Sequence, residues 1–211
     1  QLVFEVDRFV FLDDVNYIKQ GYINRNSILM NGASHKFSIP VSKISQNRTI
    51  HHHEYTGDFS HFLKLITQNY KKAPYFYDAM PLIESVALNQ DNNVARKNAE
   101  SVIAVFEYLG ITRNFSFSSE IQLDKKEKGQ SRILSLCSEL GFDKYRNAIG
   151  GQDIYSREVF DTAGIELKFI QSNNQPYPQD THDYVSHLSI IDALMHCSKD
   201  YILSMLSDYE L

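Results

Sequence analysis

The sequence predicts an α/β fold: a mainly parallel, Rossmann-like sheet with flanking helices, a β-hairpin, and a helical insertion over about residues 58–109, all in a single domain spanning 1–211. Three observations carry this. After Gly110, helical segments, single glycines and short apolar strands alternate, the rhythm of a parallel sheet covered by helices. Near the start, the apolar run Arg8 to Leu12 reads as a mostly buried strand that breaks abruptly into the polar cluster Asp13-Asp14. Between two extended stretches stands Asn31-Gly32, a strong hairpin signal.

Taken in order, Gln1 to Val6 reads as the back half of an amphipathic helix, for which a preceding first strand is the expectation. Tyr22 to Met30 and Lys36 to Val41 form the hairpin arms, with Pro40 placing the second arm at an edge. Phe59, Phe62, Leu63, Ile66 and Tyr70 fall at helical spacing. A second helix is predicted from about Tyr77 to Leu88, with Pro81 in its first turn or bending it. A third follows an Asp91-Asn92-Asn93 cap and stops at Gly110. Beyond Gly110 the expectations are a strand over 114–117, a helix over 129–140 closed by Gly141, and a strand over 144–149. A helix over 157–163, a strand over 165–170 and a helical region over 188–206 complete the series.

A net charge of −5 offers no electrostatic footprint for nucleic acid. At 43% apolar residues the chain can build a sizeable core. No apolar run reaches the length of a membrane span. Cys137 and Cys197 lack the short spacing of a metal or redox pair, so both are read as buried, unbonded thiols in a cytoplasmic protein. His51, His52 and His53 are adjacent, and neighbours in an extended chain point to opposite faces, so no metal site is predicted there. No P-loop, GxGxxG, GxSxG or HExxH occurs, and the sequence names no cofactor.

In parallel sheets, ligands bind at the carboxyl ends of the strands. Applied here, that rule delivers Asp13 and Asp14, then Ser118 and Ser119, then Gly150 and Gly151 to one cleft. Lys128 and Arg132, four residues apart at a helix start, suit a phosphate or carboxylate. The candidate catalytic residues are Asp13, Asp14, Lys19 and Arg25. The candidate substrate-binding residues are Tyr17, Asn24, Asn26, Ser118, Ser119, Lys128, Arg132, Gly150 and Gly151. The expected partner is a nucleotide sugar or another phosphorylated small molecule.

The blocks FVFLDDVNYIKQGYINRN (9–26), YKKAPYF (70–76), FEYLGI (106–111), SSEI (118–121), KGQSRILSLCSELG (128–141), YRNAIGGQDIY (145–155), GIELKF (164–169) and LSIIDALM (188–195) run in order along nearly the whole chain. In them the chain resembles the WbqC-like family of bacterial proteins, often encoded among genes for O-antigen or capsular polysaccharide synthesis. Two features depart from that pattern. Relatives usually carry an aromatic, proline-rich QPYFFPYxGYF segment ahead of these blocks, and Ser186 stands where Pro is expected. The resemblance implies a part in surface-polysaccharide biosynthesis. The favoured chemistry is acyl or aminoacyl (amide-forming) transfer to an amino-sugar nucleotide or its glycan, by a transferase or ligase. In that reading Asp13 and Asp14 bind a metal, a sugar hydroxyl or an amine, Lys128 and Arg132 hold phosphate, and Lys19 and Arg25 neutralise developing charge. The alternative is a non-catalytic sugar-nucleotide-binding or scaffold subunit of an assembly complex.

Overall fold

The computed structural model describes residues 1–123 and 127–211. In chain order the elements are α1 (Leu2–Glu5), β1 (Arg8–Phe11), β2 (Arg25–Met30), β3 (Ala33–Ser38), α2 (Ser60–Tyr70), α3 (Phe76–Leu88) and α4 (Val94–Tyr108). There follow β4 (Asn114–Phe117), α5 (Gly129–Leu140), β5 (Lys144–Ala148), α6 (Arg157–Thr162), β6 (Glu166–Ser172), α7 (Ile190–His196), α8 (Lys199–Leu206) and β7 (Tyr209–Glu210). The architecture is therefore mixed α/β, with sheets of two or three strands. The chain divides into two compact units: Gln1–Leu12 with Arg113–Asn174 and Leu206–Leu211, and Asp13–Thr112 with Gln175–Met205.

The first unit holds the parallel pairings. β1 runs parallel to β4, from Arg8 opposite Asn114 to Phe11 opposite Phe117. β5 runs parallel to β6, from Lys144 opposite Glu166 to Ala148 opposite Ile170. β7, not foreseen in the sequence, adds an antiparallel partner to the end of β6. Between β5 and β6 the chain crosses over through α6, as parallel neighbours require. Leu167 and Phe169, two apart on β6, point into a core shared with Ile133, Leu136 and Cys137 of α5 and with Phe160 of α6. The end of α5 is set by Gly141 at φ 71, and the Phe142 N–H reaches back to the Cys137 carbonyl at 2.8 Å.

The second unit holds the hairpin and most helices. β2 and β3 pair antiparallel around Asn31 (φ 51) and Gly32 (φ 73), two successive left-handed residues as a tight hairpin turn demands. Strand β3 ends at Ser38, so Pro40 lies beyond the ladder. α4 begins where Asn93 accepts from the Arg96 N–H at 3.1 Å. Pro81 lies inside α3, in its second turn, which leaves the bending alternative of the sequence reading and not the first-turn one. The region 188–206 is two helices, α7 and α8, separated at Cys197 and Ser198. Both cysteines are free and buried. Burial raises each thiol's pKa, that of Cys197 to about 11, so neither is a thiolate at neutral pH. Among the described residues no helix is long and apolar enough to cross a membrane.

Candidate functional site

The residues marked out by sequence fall in both units. Asp13, Asp14, Tyr17, Lys19, Asn24, Arg25 and Asn26 belong to the second, and Ser118, Ser119, Lys128, Arg132, Gly150 and Gly151 to the first.

In the second unit, residues 13–24 form an irregular arm held by the segment 48–53. The Tyr17 N–H donates to Arg48 O (3.0 Å), Ile50 N–H to Val15 O (2.9 Å) and His51 N–H to Asp13 O (2.9 Å). Tyr17 is buried, and its hydroxyl donates to Asn24 Oδ1 at 2.9 Å; Asn24 Nδ2 donates in turn to the Ile39 carbonyl at 2.8 Å. Both side chains thereby fasten the arm to the exit of the hairpin. Burial pushes the Tyr17 phenol up in pKa, and nearby Arg25 pulls it partly back. Arg25 Nε donates to Gly21 O at 3.1 Å, which closes a turn, and Asn26 Oδ1 accepts from the Ser27 N–H at 2.8 Å. Lys19 is exposed, Asp14 half-buried and Asp13 buried at 3% exposure.

The three histidines lie in and just after a 3-10 turn, Ile50–His52, and not in the extended chain that the sequence reading predicts, so the His51 and His52 rings sit together with centroids 4.1 Å apart. His51 Nδ1 lies 3.0 Å from Asp13 O, and His52 Nδ1 lies 2.7 Å from Thr49 Oγ1. His53 is buried, with Nδ1 at 2.9 Å from Thr49 O while Nε2 accepts from the Ser45 N–H at 3.1 Å. A ring that donates from one nitrogen and accepts at the other is neutral imidazole. Among the described residues no group of three His, Cys, Asp or Glu could hold a metal ion.

In the first unit, β1 and β4 end side by side at Phe11 and Phe117, so buried Ser118 and exposed Ser119 arrive at the carboxyl edge of that pair. Lys128, exposed, is the residue before α5, and Arg132 is buried on its first turns. Gln130 Oε1 accepts from the Ser156 N–H at 2.6 Å, which ties the start of α5 to the residue before α6; Gly150 and Gly151 lie in the preceding 3-10 turn 149–154. Neither glycine has positive φ. A Cβ on Gly151 would meet the Asn147 side-chain nitrogen at 3.0 Å, whereas one on Gly150 would meet nothing. Gly151 thus packs closely against the Asn147 side chain, whose Nδ2 donates to Tyr145 Oη at 3.2 Å.

The WbqC-like protein family matches residues 1–203. The chain belongs to that family. It is also similar to an uncharacterized protein of Mycobacterium tuberculosis, Rv1507c, with 25% identity over 202 residues, which covers 92% of this chain and 86% of that one. No solved structure matches it.

Two buried charged residues of this WbqC-like protein were not singled out in the sequence. Asp192 is wholly buried in α7. Its Oδ1 accepts from Tyr70 Oη (2.8 Å), and its Oδ2 from Tyr177 Oη and Gln179 Nε2 (both 2.9 Å). Lys97 is 3% exposed, and its Nζ donates to the carbonyls of Val86 (3.0 Å), Ala87 (3.4 Å) and Asn89 (2.7 Å) at the end of α3. The signal for Asp192 was present in LSIIDALM, a lone carboxylate inside an apolar run, which folding tolerates only with partners.

Proposed function

We propose that this WbqC-like protein acts in the biosynthesis of bacterial cell-surface polysaccharide. Its reaction is acyl or aminoacyl transfer that forms an amide on an amino-sugar nucleotide or glycan. Family membership over residues 1–203 is the observation that carries this reading. The first unit adds a physical reason to expect a phosphorylated ligand: Lys128 and Arg132 stand at the start of a twelve-residue helix, where free N–H groups and the helix dipole favour anions. In this reading Lys128 and Arg132 hold phosphate with Ser118, Ser119 and the 150–151 backbone, and Tyr17, Asn24 and Asn26 shape the sugar-binding arm. Asp13 and Asp14 bind the amine or sugar hydroxyl, while Lys19 and Arg25 offset developing negative charge. The finer fold reading, a single Rossmann-like parallel sheet in a cytoplasmic protein, belongs to the same proposal.

A non-catalytic binding or scaffold subunit is the second reading. It is favoured by large side chains left in solvent in the second unit, Tyr22 at 80% and Tyr77 at 84% exposure.

One measurement separates the readings and a second tests the phosphate site. Mass spectrometry of surface glycan from a deletion strain should show one substituent lost, and Asp14→Asn should fail to restore it while folding normally. Restoration by Asp14→Asn would favour the scaffold. Calorimetric titration with a UDP-sugar should show binding that Arg132→Ala weakens by about 1.5–3 kcal/mol, the worth of a hydrogen bond to a charged group. Equal affinity in wild type and variant would end Arg132's assigned role.

A further inference from the structure

The stretch 173–189 leads from β6 to α7 with neither helix nor strand. Connections beyond roughly 12–15 residues without structure of their own usually carry function. From Gln175 onward this one lies in the second unit, and its side chains hold it firmly. Gln179 is the hub. Its Oε1 accepts from the Val185 N–H at 2.8 Å, and its Nε2 donates to the Val185 carbonyl and to Asp192 Oδ2, both at 2.9 Å. These bonds fix the backbone at Val185, and with it the point from which Tyr184 projects. Tyr177, whose hydroxyl donates to the same Asp192 oxygen, meets the Tyr184 ring edge-on with centroids 5.4 Å apart. Tyr201 of α8 completes the group, its hydroxyl 3.4 Å from the Pro176 carbonyl. Burial raises the Tyr184 phenol in pKa, and Asp192, Cys197 and Tyr201 raise it further, so Tyr201 lies close enough to act on Tyr184.

The outcome is two tyrosines held at the surface, Tyr184 at 38% and Tyr201 at 39% exposure, beside exposed Pro176 and Pro178. A buried carboxylate with donors on both oxygens is more than an ordinary connector needs, because burying a charge costs free energy even when it is paired. A ligand platform does need such an anchor, since rings already in place lose less freedom on binding. Charge narrows the ligand. Residues 175–187 contain no Lys or Arg, while Asp180, Asp183 and Asp200, the residue before Tyr201, are exposed. Carboxylates without cations among them repel phosphate. The C–H face of a pyranose stacks on an aromatic ring, and its hydroxyl or amino groups donate to carboxylates. A neutral or amino sugar therefore suits the rings and the acidic rim together.

We propose that Tyr184 and Tyr201 form a stacking platform for a glycan chain of neutral or amino sugars. The inference rests on the polysaccharide reading above and names the acceptor within it: a glycan, not a sugar nucleotide.

The test titrates surface polysaccharide released from the deletion strain into the unmodified chain and its variants, with affinity read by calorimetry. Tyr184→Ala and Tyr201→Ala should each weaken binding about tenfold, the scale of one lost aromatic contact, whereas Tyr184→Phe and Tyr201→Phe keep the ring and should stay within about threefold. Equal affinity in the alanine variants, or equal loss in the phenylalanine ones, would overturn the platform. Should an alanine variant not fold, amide shifts in the unmodified chain decide. Polysaccharide should shift amides centred on 176–186 and 199–203. No shift at millimolar saccharide, shifts centred elsewhere, or larger shifts of the same amides with UDP-N-acetylglucosamine refute the proposal. The two readings fail separately. A substituent lost in the deletion strain, with polysaccharide affinity indifferent to Tyr184 and Tyr201, ends this inference alone. Tyrosine-dependent glycan binding with no substituent lost supports the platform and ends the transfer reaction.

Discussion

The two units treat their buried polar groups differently. In the second, polar groups taken from water are met by partners of the same unit: Asp192 by two tyrosines and a glutamine, Lys97 by three carbonyls, His53 by a carbonyl and an N–H. In the first, among the described residues, β1 and β5 each pair with one parallel strand and line a groove of mixed polarity with the edge that has no strand partner. The contrast teaches where stability and where adaptability reside. A satisfied network resists rearrangement, whereas an open edge is available to a further chain.

The sharpest way to break the contrast is at Asp192. Asp192→Ala leaves the hydroxyls of Tyr70 and Tyr177 without their acceptor and the Gln179 amide with the Val185 carbonyl alone. At 1–3 kcal/mol for each stranded donor, the expected loss is about 4 kcal/mol in urea denaturation, partly relieved because the 175–187 loop can open. A loss below about 1 kcal/mol would mean that the network is not a structural anchor.

Lys97→Met comes next. It keeps an apolar side chain of similar length but removes the ammonium, which lies 4.8 Å from the Phe59 ring centroid and donates to three carbonyls at the end of α3. About 2 kcal/mol should be lost, the value of a charge-assisted hydrogen bond in a buried position. No loss would show that water replaces the ammonium.

Alkaline pH probes both units together. Burial raises the phenols of Tyr55, Tyr70 and Tyr177 in the second unit and Tyr145 in the first above their ordinary 10.0. The folded chain therefore keeps protons that the unfolded chain loses above pH 10. Stability from these groups is complete below pH 10 and falls as pH rises beyond it, by about 1.4 kcal/mol per pH unit for each tyrosine held neutral. Absorbance at 295 nm should show these tyrosines ionising together with unfolding. Early, independent ionisation would show that they are solvated in the fold.

The smallest expected effect is at Tyr17. Tyr17→Phe removes the 2.9 Å bond to Asn24 and should cost about 1 kcal/mol in thermal denaturation. No change would free Tyr17 from its place in the arm.

Much of this was legible in the sequence. The Asn31-Gly32 turn, the Asn93 cap and the Gly141 stop are local signals, set by residue type and φ, and each lies where the pattern put it. The parallel sense of β1–β4 and β5–β6 was legible too, because helix–glycine–strand alternation leaves few other arrangements. Sheet extent was not, since periodicity records which faces of a strand are buried and says nothing of which edges are paired. The two-residue β7 is too short to carry a pattern. At the candidate site, sequence grouped residues by polarity. It did not reveal that Tyr17 and Asn24 spend their polar atoms on the arm's own fold, or that Gly151 answers to Asn147. Those roles depend on partners 7, 15 and 4 positions away, chosen by tertiary packing.

The open edges are tested most directly by residue-resolved amide hydrogen exchange over Arg8–Phe11 and Lys144–Ala148. Successive amides of a strand point to opposite sides, so one set faces β4 or β6 and the other faces the groove. The account predicts alternation, with the groove-facing amides exchanging at least tenfold faster than their neighbours. Uniform protection along both strands would contradict it.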